Sequence, residues 1–208
     1  MVSRSDAIVN LSSLLRHAPG APSEVTEEGL LLPTEEQQAE DGVRLAGPIA
    51  WQVNVQSTGG DDDYFVDGEL SGTAIMECRR CLENVETEIE TNFVYEMIYQ
   101  PGKATALTLL EAPLAAEANI DEHSGDDTED RLVFGRPEVD FAPLLRQLFA
   151  IELPLTVLCN EDCRGLSVDG VNLNEHPDHV APQPVAASIQ DDVTQSPFAA
   201  LADLDVES

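Results

Sequence analysis

From Gly47 to Tyr99 the chain alternates apolar and polar side chains, and two cysteines interrupt that alternation at one point. Ile49, Trp51, Val53 and Val55 alternate with Ala50, Gln52 and Asn54, the period of a strand with one buried face. Ser57 to Asp63 reads as a loop. Tyr64 to Glu77 reads as a second strand, in which Gly68 and Gly72 mark a bulge or bend. After Cys78-Arg79-Arg80-Cys81, a third run carries Val85, Thr87, Ile89, Thr91, Phe93 and Tyr95 on to Tyr99. These alternate with Glu86, Glu88, Glu90, Asn92 and Glu96. The pattern predicts an antiparallel hairpin that turns at the two cysteines.

Further on the period changes. Phe141, Leu144, Leu145, Leu148 and Phe149 recur at i, i+3, i+4, i+7 and i+8, which places them on one face of a helix. Asp140 can cap its first turn and Pro143 sits where a missing N–H does no harm. Pro154 stops the helix. The expected fold class is α+β: an antiparallel sheet over residues 47–99 with a cysteine-tipped hairpin, covered by this amphipathic helix. Phe141, Leu144, Leu145 and Leu148 are expected to pack against Val53, Ile75 and Phe93. Acidic mobile segments are expected before, within and after this core. Residues 21–42 hold only an extended Leu30-Leu31-Leu32 contact, residues 100–130 form an acidic insertion with a short helix at Leu107–Leu110, and residues 121–130 are disordered.

Forty acidic residues against ten basic ones give a formal net charge of -30. Capture of nucleic-acid phosphates needs clustered Lys and Arg, so this charge argues against extensive direct RNA binding. No apolar run is long enough to span a membrane. Polar Asn10, Ser12 and Ser13 break the first apolar segment, so no secretory signal is expected and the chain reads as cytoplasmic.

The chemistry-bearing residues are few. Cys78-x2-Cys81 lies at a strand-turn-strand junction and Cys159-x3-Cys163 follows the helix. If the two junctions meet, four thiolates make a closed structural zinc site. Unpaired thiols and local disulfides are the alternative readings of the same spacing. His176 and His179 flank Pro177 with a spacing that does not suit a helical two-histidine finger, and read as solvated loop residues. Arg79 and Arg80 are adjacent at the hairpin tip, where they either contact phosphate or carboxylate on a partner or RNA, or are simply solvated. No Gly-rich phosphate loop, nucleophile motif or His-Glu metal helix occurs, so the chain is not expected to be an enzyme.

Four blocks, in order, resemble the YceD family, whose members are called large ribosomal RNA subunit accumulation proteins. They are Val9-Asn10-Leu11 to Pro19-Gly20, then Cys78-Arg79-Arg80-Cys81-Leu82 with its acidic strand to Tyr95-Glu96, then Val139 to Arg146 with Leu153-Pro154, then Leu158 to Leu166 with Asn172-Leu173-Asn174. After Gly-Leu that family continues Cys-Pro-x-Cys-Gly, whereas Ser167-Val168-Asp169-Gly170 stands here, so two expected cysteines are gone. What remains is a site from Cys78, Cys81, Cys159 and Cys163, with His176 or His179 as further ligands. The resemblance implies a bacterial ribosome-biogenesis factor supporting 23S rRNA processing or accumulation and large-subunit assembly. The charge adds an acidic adaptor or chaperone role toward a basic ribosomal protein or assembly factor. The rival readings are a direct RNA-binding module built around Arg79 and Arg80, and an RNA-processing enzyme holding magnesium on carboxylates. The expected organisation is one YceD-like domain, residues 1–174, followed by an acidic Pro-containing tail, residues 175–208.

Overall fold

A computed structural model describes residues 7–16, 23–58, 62–103, 106–109 and 131–181. The expected disorder at 121–130, the end of the Leu107–Leu110 helix and the tail beyond residue 181 lie outside the described residues. The chain divides into two compact units, residues 1–163 and 164–208.

The first unit is α+β. Its strands are β1 (Ile8–Asn10), β2 (Glu24–Leu31), β3 (Ile49–Ser57), β4 (Asp63–Glu77), β5 (Asn84–Tyr99), β6 (Leu132–Phe134) and β7 (Glu138–Asp140). Its helices are α1 (Glu35–Asp41) and α2 (Ala142–Ile151), with one 3-10 turn at Leu14–Arg16. A five-stranded sheet runs β2-β3-β4-β5-β6, and β1 and β7 form a separate antiparallel pair. All neighbours in the large sheet are antiparallel except β5 and β6, which run parallel.

The β4–β5 hairpin pairs without a break from Asp63 opposite Ile98 to Glu77 opposite Asn84. The bulge expected at Gly68 or Gly72 is therefore absent. These glycines are explained by what fills the space of a side chain. A Cβ at Gly68 would lie 2.5 Å from the Gln52 carbonyl oxygen and 2.6 Å from the Phe93 ring. At Gly72 it would meet the Phe149 ring of α2 at 3.0 Å. Because β4 stays regular, Tyr64, Val66, Leu70 and Ala74 point inward and Ile75 is only half-buried on the other face, which corrects the expected Ile75 contact.

One continuous core joins the inner face of this sheet to α2 and to the β1–β7 pair. Phe141, Leu144 and Leu145 are fully buried, and Leu148 and Phe149 nearly so. Each such side chain contributes about 1.5–3 kcal/mol through removal from water. Asp140 ends β7, and its Oδ1 accepts from the Ala142 N–H at 3.0 Å, just ahead of α2. The helix stops at Ile151, short of Pro154.

Residues 23–42 of the acidic stretch are structured, contrary to expectation. β2 pairs with β3 from Glu24 opposite Gln56 to Leu31 opposite Ile49. In α1, Thr34 and Gln37 form a reciprocal capping box that satisfies the first free N–H groups. Leu107 to Leu109 form no helix: Ala106 bridges Asp140, and the Leu107 N–H donates to the Asp140 carbonyl.

Candidate metal centre

The β4–β5 turn is a knuckle whose backbone closes on itself. The Leu82 N–H donates to the Cys78 carbonyl at 2.9 Å and the Cys78 N–H to the Glu83 carbonyl at 2.8 Å. Leu82 takes the left-handed conformation, φ 62, to make this closure, a strained position for a residue with a Cβ. The segment after α2 then runs alongside. Cys78 bridges Val157, and the Arg79 N–H donates to the Val157 carbonyl at 2.9 Å. The second cysteine loop is a tight turn in which the Cys163 N–H donates to the Asn160 carbonyl at 3.0 Å.

These two turns bring four sulfurs together. Cys78 Sγ lies 3.8 Å from Cys163 Sγ, Cys81 Sγ lies 3.5 Å from Cys159 Sγ, and all four lie within 4.8 Å of one another. Four thiolates about 2.3 Å from a tetrahedral zinc lie about 3.8 Å apart, so this donor set and spacing fit such an ion. Cys78, Cys81 and Cys163 are buried and Cys159 is exposed; all four are free of disulfides. The local-disulfide reading is thereby set aside.

The electrostatics of the cluster are uneven. Burial pushes the Cys78 thiol up, but backbone N–H groups of Cys159, Cys81 and Arg80 outweigh it and bring it down to about 6. Cys159 is pushed up to about 12, first by its contact with the Cys81 sulfur, then by Cys163 and by burial. Several anionic sulfurs cannot share this space without a cation to neutralise them, which is the condition a metal ion meets.

Arg80 has a role that its position at a turn does not announce. Its guanidinium donates to the Cys163 carbonyl at 2.9 Å and the Glu161 carbonyl at 3.1 Å, tying the knuckle to the second cysteine loop. Arg79 is exposed.

In the second unit, Ser167 to Val171 form a hydrogen-bonded turn. The Ser167 N–H donates to the Val171 carbonyl, the Val171 N–H to Ser167 Oγ, and Gly170 has φ 83. Ser167 Oγ also donates to Asp169, whose carboxylate contacts His179 Nε2 at 2.8 and 3.1 Å. His179 is thus a partner of Asp169 instead of a solvated loop residue, while His176 is exposed. Among the described residues the only group placed to hold a metal is the four cysteines, without either histidine.

A second feature lies on the outer face of the large sheet. β2, β3, β4 and β5 contain no Lys or Arg. Alternation along the strands sends Glu28, Asp67, Glu69, Glu86, Glu88 and Glu90 to the face opposite the core. A depression of about 460 Å³ opens there over Ala50 and Ser71, lined by Glu28, Glu69 and Glu90.

Comparison with known families matches residues 66–205 to the family described as "Large ribosomal RNA subunit accumulation protein YceD". The chain belongs to the YceD family. This match takes in the cysteine knuckle, α2, the second cysteine loop and most of the stretch expected as a tail. An uncharacterized protein of Mycobacterium leprae (strain TN) is 25% identical over 138 residues, 66% of this chain. The alignment spans 54% of that relative, so the chain corresponds to about half its length. No solved structure matches. Among the described residues no helix is long and apolar enough to cross a membrane.

Proposed function

We propose that this YceD-family chain is a cytoplasmic bacterial ribosome-biogenesis factor that supports 23S rRNA processing and accumulation and large-subunit assembly. It acts as an acidic adaptor or chaperone for a basic ribosomal protein or assembly factor, without catalysis. The family description supports the ribosomal assignment. The observation that carries the adaptor role is the outer sheet face, built from four strands without a single cation. Carboxylates two residues apart on a strand stand about 6.8 Å from one another, closer than the Debye length of about 8 Å at physiological salt. They therefore act together, repelling phosphate and attracting a cationic partner.

The four cysteines serve as a closed structural zinc site. A tetrahedral shell of four thiolates leaves no position for water or substrate, so such an ion contributes folding stability and no hydrolytic step. Arg80, spent on two carbonyls of the second cysteine loop, is poorly placed to lead an RNA-binding surface.

The test is recovery of the tagged full-length protein from cells at low salt, with bound protein and RNA identified. The adaptor reading expects a basic large-subunit protein or assembly factor that is released as salt rises. Tight binding of the purified protein to a 23S fragment, lost when Arg79 and Arg80 are both changed to Glu, would support the RNA-binding module and overturn it. Magnesium-dependent cleavage of rRNA by the pure protein would replace it with the enzyme.

A further inference from the structure

We infer that the open edge of β5 receives an extended segment of the basic partner as an added strand, one that alternates Lys or Arg with apolar residues. This rests on the adaptor reading and specifies where and in what conformation the partner is held.

β5 pairs with β4 from Asn84 to Ile98 on one side. On the other side, among the described residues, only Met97 to Tyr99 are paired, and with β6. Among the described residues, Asn84 to Glu96 thus present a long strand edge with no strand beside it. Unpaired backbone N–H and C=O groups on such an edge are a template for another strand.

The chain itself shows what this edge accepts. Arg131 and β6 form the run Arg131-Leu132-Val133-Phe134, laid parallel against the last residues of β5. Leu132 and Phe134 enter the core. Arg131 Nε sits 2.9 Å from Glu96 Oε2, with Nη1 3.6 Å from Asp63 Oδ1, both carboxylates being on the acidic face. The basic Arg131 goes to the acidic face and Leu132 and Phe134 go to the core face, with Val133 beside Ile98 on the outer side.

Upstream, β5 repeats the same invitation. Glu86, Glu88 and Glu90 are exposed on the acidic face, while Ile89 and Phe93 are buried on the other. Directly opposite side chains on paired strands come within about 5 Å, where opposite charges attract and like charges repel. A second copy of this chain pairing through β5 would set glutamates beside glutamates. A strand carrying Lys or Arg at every second position meets both faces correctly.

The probe is a short peptide alternating lysine and valine, added to the full-length protein. It should protect from hydrogen exchange the edge-facing backbone amides, every second residue, between Asn84 and Glu96. The same peptide with alternate amides N-methylated keeps its charge but cannot complete the ladder, and should bind at least about tenfold more weakly. Combined Glu86→Gln, Glu88→Gln and Glu90→Gln should weaken the unmodified peptide by about tenfold. Equal binding of the two peptides with β5 amides unprotected would overturn the edge inference. So would binding by neither peptide. The adaptor reading fails separately, when no basic protein is recovered from cells.

Discussion

Arg146 grips both carboxylate oxygens of Asp41, with Nε 2.7 Å from Oδ2 and Nη2 2.9 Å from Oδ1, across 105 residues of chain. The pair fastens α1 to α2, and the same guanidinium also donates to the Gln37 carbonyl at 3.2 Å. Side-chain exposure is 12% for Arg146 and 19% for Asp41, so solvent screens the pair weakly. Asp41→Ala leaves a largely buried cation with only the Gln37 carbonyl and the long, exposed contact to Glu40, and should cost about 2 kcal/mol in urea unfolding. Glu40, whose side chain is 66% exposed at 3.5 Å from the same guanidinium, should cost far less when changed to Ala. Equal effects of the two substitutions would contradict the fastening role.

Gly68→Ala should be the harsher of two glycine replacements. Its new methyl would collide with the Gln52 carbonyl oxygen and the Phe93 ring, whereas at Gly47 a Cβ meets nothing within 4 Å. Overpacking of this kind costs about 1–3 kcal/mol. Thermal unfolding should show a clear loss for Gly68→Ala and little change for Gly47→Ala.

How much of this was legible from sequence differs by element. The β3 to β5 region was readable because the two-residue alternation is long within each strand, and α2 because its five apolar residues fall on one helical face. The meeting of Cys78 and Cys81 with Cys159 and Cys163 could be posed but not decided, since spacing says nothing of distance in space. β2 and α1 were missed because Glu24, Glu28, Glu35 and Glu36 read as solvated charge. Yet Thr34 and Gln37 carried a capping-box signal that would have located α1. β6 is three residues long, too short for any period to show. Arg80 gave no hint of its role, because its acceptors are carbonyls eighty-odd residues away that only the fold brings near.

Purified protein should contain about one zinc per chain by elemental analysis. Cys78→Ser, at the buried centre of the cluster, should lower that content, and a chelator should lower the melting temperature of the wild type much more than that of the variant. Binding displaces thiol protons, so apparent zinc affinity should rise with pH. Metal-free protein with unchanged thermal stability would remove the structural role.

The Ser167–Val171 turn should loosen in acid. The Ser167 hydroxyl holds the Asp169 carboxyl below its ordinary 3.8, against the upward push of burial, and His179 adds to the lowering. A depressed folded pKa gives stability that is present above the unfolded value, about 3.9, and lost as pH falls through the folded one. Exchange of the Val171 amide should therefore speed up in this acid range beyond the change in intrinsic rate. Asp169→Ala should remove that extra step, and its persistence in the variant would assign the loosening to another group.

The ratio of 23S to 16S rRNA in a deletion strain tests the central claim most directly. The ratio should fall on deletion and return with the wild-type gene. It should stay low with a copy in which Glu28, Glu69, Glu86, Glu88 and Glu90 are changed to Gln, although that protein folds and retains its metal. A normal ratio after deletion would contradict the ribosomal role, and full rescue by the amide variant would contradict the acidic sheet face as the surface that performs it.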